Sequence, residues 1–209
     1  MQRWLAVVAL VWGVRAEAKV RIHVPTVSDR CPSGSSWDKV TTCLHAFGDI
    51  TVLASTKTTR VVHVAKTAGD EVRDAGTYLY VATGGKWLLG GMHNEAGELL
   101  TFDTVMLGEH LGYRLDFASV SPTNITLEDQ TTVPAPLAMM ATTTSVYCAG
   151  TSVACAEAIT SCDIFVRGKA YRTFRGVVRI HAGELDIIGD RTQAGDCAPE
   201  PTVTLPWPP

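Results

Sequence analysis

From Asp49 onward, apolar and polar side chains alternate with a period of two in short runs. These are Ile50 to Ala54, Arg60 to Ala65, Thr77 to Ala82, Lys86 to Met92, Glu98 to Met106 and Gly112 to Val120. Clusters of Thr, Gly, Asp and Asn separate them, as turns separate the strands of an antiparallel meander. Gly84-Gly85, between TYLYVAT and KWLL, suits a two-residue hairpin loop because glycine tolerates the positive φ such loops demand. Upstream, Val20, Ile22 and Val24 alternate with Arg21 and His23, which predicts a first strand over Lys19 to Val27. Downstream, Ser145 to Cys148 reads as a short strand, and Cys162 to Asp190 as three consecutive strands.

The period becomes helical between these runs. Trp37, Val40, Leu44 and Phe47 recur at helix spacing, Ser35 and Asp38 have the spacing of a capping box, and Gly48 stops the run. A helix over Ser36 to Ala46 is predicted. Val153 to Ile159 admits a second, brief helix. One continuous helix through Cys155 and Cys162 would hold them ~10 Å apart, beyond the ~7 Å reach of a disulfide. That helix therefore ends before Cys162, or the two cysteines have other partners. Ser121 to Ala141, with Pro122, Pro134 and Pro136, loses periodicity and reads as a long surface connection with a short strand at Ile125 to Leu127. Asn124-Ile125-Thr126 within it is a glycosylation acceptor by pattern.

These elements predict a β-rich α+β fold: antiparallel meander sheets packed with one short N-terminal helix and stabilised by disulfides. The organisation expected is a signal peptide at 1–18, a strand-helix-meander part at 19–120, a Pro/Thr-rich connection at 121–143, a cysteine-stabilised second meander at 144–197, and a Pro-rich tail at 198–209. Residues 19–197 suit one compact domain. The two meanders echo each other. Gly85-Lys86 and Ala96-Gly97-Glu98-Leu99 have counterparts in Gly168-Lys169 and Ala182-Gly183-Glu184-Leu185, with different spacing. A duplication would therefore need a bulge or a longer turn in one copy.

The N-terminus decides the compartment. Met1 to Arg3 is a short basic start, Trp4 to Val14 is apolar, and Ala16-Glu17-Ala18 has the small-x-small pattern of a signal-peptidase site. Cleavage after Ala18 and a secreted or periplasmic location are expected. The apolar run is well short of the ~20 residues that span a bilayer. All six cysteines, Cys31, Cys43, Cys148, Cys155, Cys162 and Cys197, follow that site. An even number in an exported chain reads as up to three disulfides. Cys31 with Cys43 would fasten the helix to its incoming loop, and three pairings remain for the other four.

Charge narrows the partners. The chain carries 18 basic and 21 acidic residues, so nucleic acid is not an expected partner. The densest basic cluster is Arg167, Lys169, Arg172, Arg175 and Arg179, interleaved with Tyr171 and Phe174. Arg175 and Arg179 share strand parity and face the same way. Arg172, Arg175 and Arg179 are thus the candidate ligand-binding residues, for an anionic glycan or lipid head group.

Catalytic motifs are few. His23, His63 and His181 lie on strands, but their spacing does not force them onto one metal, so no metal site is assigned. His93 with Glu95, and Glu109 with His110, are turn-region pairs of the kind acid–base chemistry uses. The chain has no G-x-S-x-G elbow, H-E-x-x-H helix or calcium loop. ATGGKW at Ala82 to Trp87 lacks the first glycine and the closing Ser or Thr of a phosphate loop. No cofactor and no catalytic residue are assigned. The reading is an exported, non-catalytic binding or envelope-associated protein. The alternative is a secreted hydrolase, metal-dependent or not, built from these scattered His and Glu residues.

Overall fold

The computed structural model describes residues 31, 34–65, 76–93, 97–150, 155–181, 183–189 and 201–205, with the side chains of Met92 and His93 excepted. The expected signal peptide, the strand at Lys19 to Val27, His23, Glu95 and Cys197 lie outside the described residues. The described chain is β-rich, with antiparallel sheets and one short helix. Among the described residues no helix is long and apolar enough to cross a membrane.

The first sheet is a four-stranded meander of β1 (Asp49–Ser55), β2 (Thr59–Ala65), β3 (Gly76–Thr83) and β4 (Lys86–His93), paired in that order. Gly84 and Gly85 close the β3–β4 hairpin at φ 58° and 76°, a conformation that side chains with a Cβ rarely adopt. β2 and β3 are apolar on both faces because both faces are covered. Val62, Val64, Tyr78 and Tyr80 meet α1 (Trp37–Leu44) through Val40 and Leu44. Val61 and Leu79, of opposite parity, face the second sheet.

Two devices fasten α1. The Cys31–Cys43 disulfide ties it to the incoming chain, a closure worth about 3 kcal/mol in the chain-entropy account. Arg60 places its guanidinium 4.2 Å from the Trp37 ring and 4.5 Å from the Trp87 ring, joining helix, β2 and β4. The capping box read from Ser35 and Asp38 does not form. Ser35 instead bridges to Trp87 of β4, and the N-cap is Ser36, whose side chain makes no capping hydrogen bond.

The second sheet has seven strands: β5 (Glu98–Leu107), β6 (His110–Pro122), β9 (Ala138–Cys148), β10 (Cys155–Val166), β11 (Lys169–His181), β12 (Glu184–Gly189) and β13 (Thr202–Thr204). Their order is β13-β12-β11-β10-β9-β6-β5. Between β6 and β9 a small hairpin, β7 (Ile125–Thr126) with β8 (Thr132–Val133), buries Ile125 and Val133 against Ala138, Ile164 and Phe174. The expected connection over Ser121 to Ala141 is thus shortened from both ends and carries its own apolar plug. Its prolines end strands without preventing them.

Two expectations are corrected here, and the echo finds no counterpart in the sheets. From Cys155 onward the predicted helix over Val153 to Ile159 is strand β10; Ala156 and Ala158 are buried at period two, and alanine, the best helix former, had suggested the wrong element. The tail, whose prolines predict an extended and mostly solvated end, contributes a strand, β13, and a buried Leu205. The echo between the meanders is not a structural repeat: β4 and β5 lie in different sheets, whereas β10, β11 and β12 are neighbours in one.

The sheets meet at a disulfide. Cys148 and Cys155 are directly opposite on β9 and β10, with Cα atoms 4.5 Å apart, and close the turn between them. Their sulfurs lie against Gly91 of β4, where a Cβ would collide with both, while Gly90 lies against the backbone of Gly150. Around this contact Val61 and Leu79 pack with Leu115, Phe117 and Val146. Cys162 is disulfide-bonded as well. Gly91→Ala is expected to cost about 2 kcal/mol, lowering the melting temperature by roughly 4–8 °C. Thermal unfolding of the oxidised protein checks this; an unchanged melting temperature would mean that the sheets are not held together at this point.

Candidate functional site

Two polar groupings stand out, one buried and one exposed. The buried one centres on Asp116 of β6, which is only 7% exposed. Register places it opposite Thr101 of β5 and Ser145 of β9. Its Oδ1 accepts hydrogen bonds from Ser145 Oγ at 2.6 Å and Arg114 Nε at 2.9 Å. Its Oδ2 accepts from Thr101 Oγ1 at 2.8 Å and lies 2.8 Å from Arg114 Nη2. Burial alone would raise the Asp116 pKa, but donation by Ser145, Arg114 and Thr101 outweighs it and holds the carboxyl below its ordinary range. Burial likewise pushes the neighbouring Tyr147 hydroxyl up.

This arrangement is a tie rather than a reactive centre. Both carboxylate oxygens are occupied, so no lone pair is presented to a substrate as a general base. Ser145 is fully buried and donates its proton to the carboxylate, which removes it from use as a nucleophile. The cluster joins β5, β6 and β9 by a charge that a bidentate arginine makes tolerable inside the sheet. Sequence reasoning missed it. The only signal was the matching alternation of Arg114 and Asp116, which gave no hint of Thr101 or Ser145 across the ladder.

The exposed grouping is the outer face of the β11–β12 ribbon. β11 pairs β10 as far as Arg175, then pairs β12 from Gly176. The switch falls at the pair Gly176↔Gly189, over which the Phe174 ring lies. An added Cβ at Gly176 would sit 2.8 Å from Ile187 Cγ2 and 2.9 Å from the Phe174 ring, so both glycines are required by close approach. With Phe174 turned inward, Thr173, Arg175, Val177, Arg179 and His181 point outward together. Their cross-strand partners are, in turn, Asp163, Ser161, Ile188, Asp186 and Glu184.

Of the predicted residues, Arg175 and Arg179 therefore share the face, and Arg172 does not. Arg172 stands two residues before buried Phe174 in an uninterrupted stretch of the β10–β11 ladder, so it shares the inward parity and lies half-buried, 5.1 Å from the Tyr171 ring. Arg167 sits in the β10–β11 turn at φ 49°, and Lys169 is exposed beside it. Arg175 is held by Asp163, Nη2 to Oδ2 at 2.8 Å, and Thr173 donates to the same carboxylate at 2.9 Å. The Arg175 and Thr173 bonds hold Asp163 below the ordinary carboxylate range, against the opposing effect of its partial burial. Arg179 lies opposite Asp186. The face is thus mixed in charge. At its centre Val177 and Ile188, directly paired, remain 66% and 46% exposed.

Among the described residues the histidines do not converge. His63 lies in the first sheet, 3.4 Å from Thr77 Oγ1, and His181 in the second. Glu109 and His110 are exposed at the tip of the β5–β6 hairpin. The side chain of His93 and the whole of Glu95 lie outside the described residues. What gathers instead is His181 with Glu184 and Asp186, donor atoms within 4.8 Å of one another. No family model, curated protein or solved structure matches the chain.

The Asp116 tie makes stability acid-sensitive. A lowered folded-state pKa contributes stability that is fully present above the unfolded value of about 4 and is lost as pH falls through the lowered one. Asp116→Asn is expected to cost about 2–3 kcal/mol at pH 7, a figure reduced because Arg114 is partly solvated. Urea unfolding at pH 7 and at steps down to pH 2 reads both effects: the deficit should shrink in acid. A deficit of the same size at every pH would show that the charge is not what joins the strands.

Proposed function

We propose that this chain is an exported binding protein without catalysis of its own, acting at the cell envelope or outside the cell, and that the outer face of the β11–β12 ribbon is its contact surface. The observation that carries this is the solvent-exposed Val177–Ile188 pair between Arg175 and Arg179. Single exposed aliphatic residues are ordinary, but a cross-strand pair on a ribbon whose other face packs against the sheet is apolar surface left open. The disulfides support export, since such bonds persist in oxidising compartments. The filled valences of Asp116 favour binding over hydrolysis.

The ligand class that fits is an acidic envelope component, a glycan or a lipid head group, taken by the guanidinium forks with Val177 and Ile188 supplying apolar contact. Asp163, Glu184 and Asp186 offset the arginines, so recognition would rest on these local contacts and not on bulk positive charge. Arg172 contributes least, being turned to the other side of β11.

Retention on an anionic glycan column and on vesicles containing anionic lipid tests the reading. Wild type is expected to be retained on one of the two at low salt. Arg175→Ala with Arg179→Ala, and separately Val177→Ser with Ile188→Ser, should each weaken retention about tenfold or more, whereas Arg172→Ala should not. Unchanged retention in the first two variants removes the site, and no retention of wild type removes the ligand class. The mass of the exported protein checks the other half of the proposal: a mature N-terminus at Lys19 is expected, and an intact Met1 in the exported protein would overturn cleavage.

A further inference from the structure

We propose that His181, Glu184 and Asp186 form a divalent transition-metal site, best matched by zinc, at the turn end of the β11–β12 ribbon. The turn builds it. His181 and Glu184 are a directly opposed pair flanking a two-residue loop, and Asp186, two residues beyond Glu184, returns to the same face. One imidazole and two carboxylates are thus presented side by side by a paired backbone, not by a loop.

The spacing matches the metal. His181 Nδ1 and Asp186 Oδ2 are 3.4 Å apart, longer than an ordinary N–H···O hydrogen bond of about 2.7–3.2 Å. Two ligands of a tetrahedral zinc, each at about 2.0–2.1 Å, stand roughly 3.4 Å apart. Glu184 lies within the same 4.8 Å envelope, close enough for a side-chain rotation to complete a common centre. Asp186 is also oriented from behind: Thr202 of β13 donates to its Oδ1 at 3.0 Å, leaving Oδ2 toward His181. Such an outer hydrogen bond fixes a carboxylate ligand. The mixed nitrogen and oxygen donors favour zinc and its neighbours over calcium or magnesium, which take all-oxygen sets. Three protein ligands on an exposed face leave at least one coordination position to water or to an acidic group from outside.

The site stands without the contact-face reading, but one consequence rests on it. A bound dication neutralises the two carboxylates that oppose an anionic ligand beside Arg179, so zinc should strengthen anionic retention.

Isothermal titration of the purified, oxidised chain with zinc chloride, in buffer without chelators, is the test. Wild type is expected to bind one zinc more than His181→Ala does. Glu184→Gln with Asp186→Asn should weaken that step about tenfold or more, and His110→Ala should leave it intact. Millimolar calcium should not displace the metal. All four positions are exposed or half-exposed, and a thermal melt confirms that each variant folds. Wild type without a zinc step, or a step unchanged in His181→Ala, overturns the site; displacement by calcium overturns the metal class. Zinc binding without any change in anionic retention would leave the site standing and count against the contact-face reading alone.

Discussion

The Cys148–Cys155 disulfide, seated on Gly91, is the contact on which the rest of the fold depends. It performs two tasks in one place. As a cross-strand bond it closes the β9–β10 turn, a constraint on the unfolded chain worth about 2 kcal/mol for so short a loop. As a packed object it fills the space that a side chain at Gly91 would otherwise take, and so sets how closely β4 approaches β9 and β10. The neighbouring approach of Gly90 to Gly150 continues the same seam. Because Val61, Leu79, Leu115, Phe117 and Val146 close over this point, the inter-sheet core is registered by covalent geometry as well as by apolar burial.

With the sheets fixed, the layers follow from parity. β2 and β3 send one set of side chains to α1 and the other to the second sheet, which is why they carry continuous apolar runs instead of clean alternation. On the second sheet Tyr147 and Ala156 pack with Leu185 of β12 and with Leu205 just beyond β13. Asp116 lies within this sheet. A charge at that depth is sustained only by the complete set of donors from Thr101, Arg114 and Ser145, and the loss of any one would leave a buried carboxylate oxygen short of a partner.

The legible part of this architecture was the part decided locally. Period-two runs located β1 to β6, β11 and β12, and the helical spacing of Trp37, Val40 and Leu44 located α1, because each depends on which side of one element is buried. What failed was decided across elements. Ala156 and Ala158 are small because strands of the ribbon approach them, a constraint invisible in AEAIT, where alanine reads as helix. Ser35 resembled an N-cap but is claimed by a bridge to Trp87. At the candidate face, the parity of Arg175 and Arg179 was readable, and so was the odd offset of three residues that turns Arg172 away from Arg175, although it was not applied to Arg172. The grouping of His181 with Glu184 depends on their direct pairing across the β11–β12 ladder, which the spacing of histidines along the chain does not reveal.

The glycine pair Gly176↔Gly189 converts this scaffold into something with an outward face. Up to Arg175, β11 pairs with β10 as the last strand of a wide sheet. From Gly176 it belongs to a narrow ribbon with β12 and β13, and the ring of Phe174 occupies the space that two Cβ atoms would have needed. Without that exchange the strand would continue along β10. With it, Val178 and Ile180 turn inward, and Arg175, Val177, Arg179 and His181 form a continuous outer row opposed by Ile188, Asp186 and Glu184. The inner face carries the apolar packing, and the outer face adds only surface bonds such as Arg175–Asp163 and Thr202–Asp186. Two large aliphatic residues left in water there, and a histidine set among carboxylates, are therefore not explained by folding. On the proposed reading, a bound partner accounts for them.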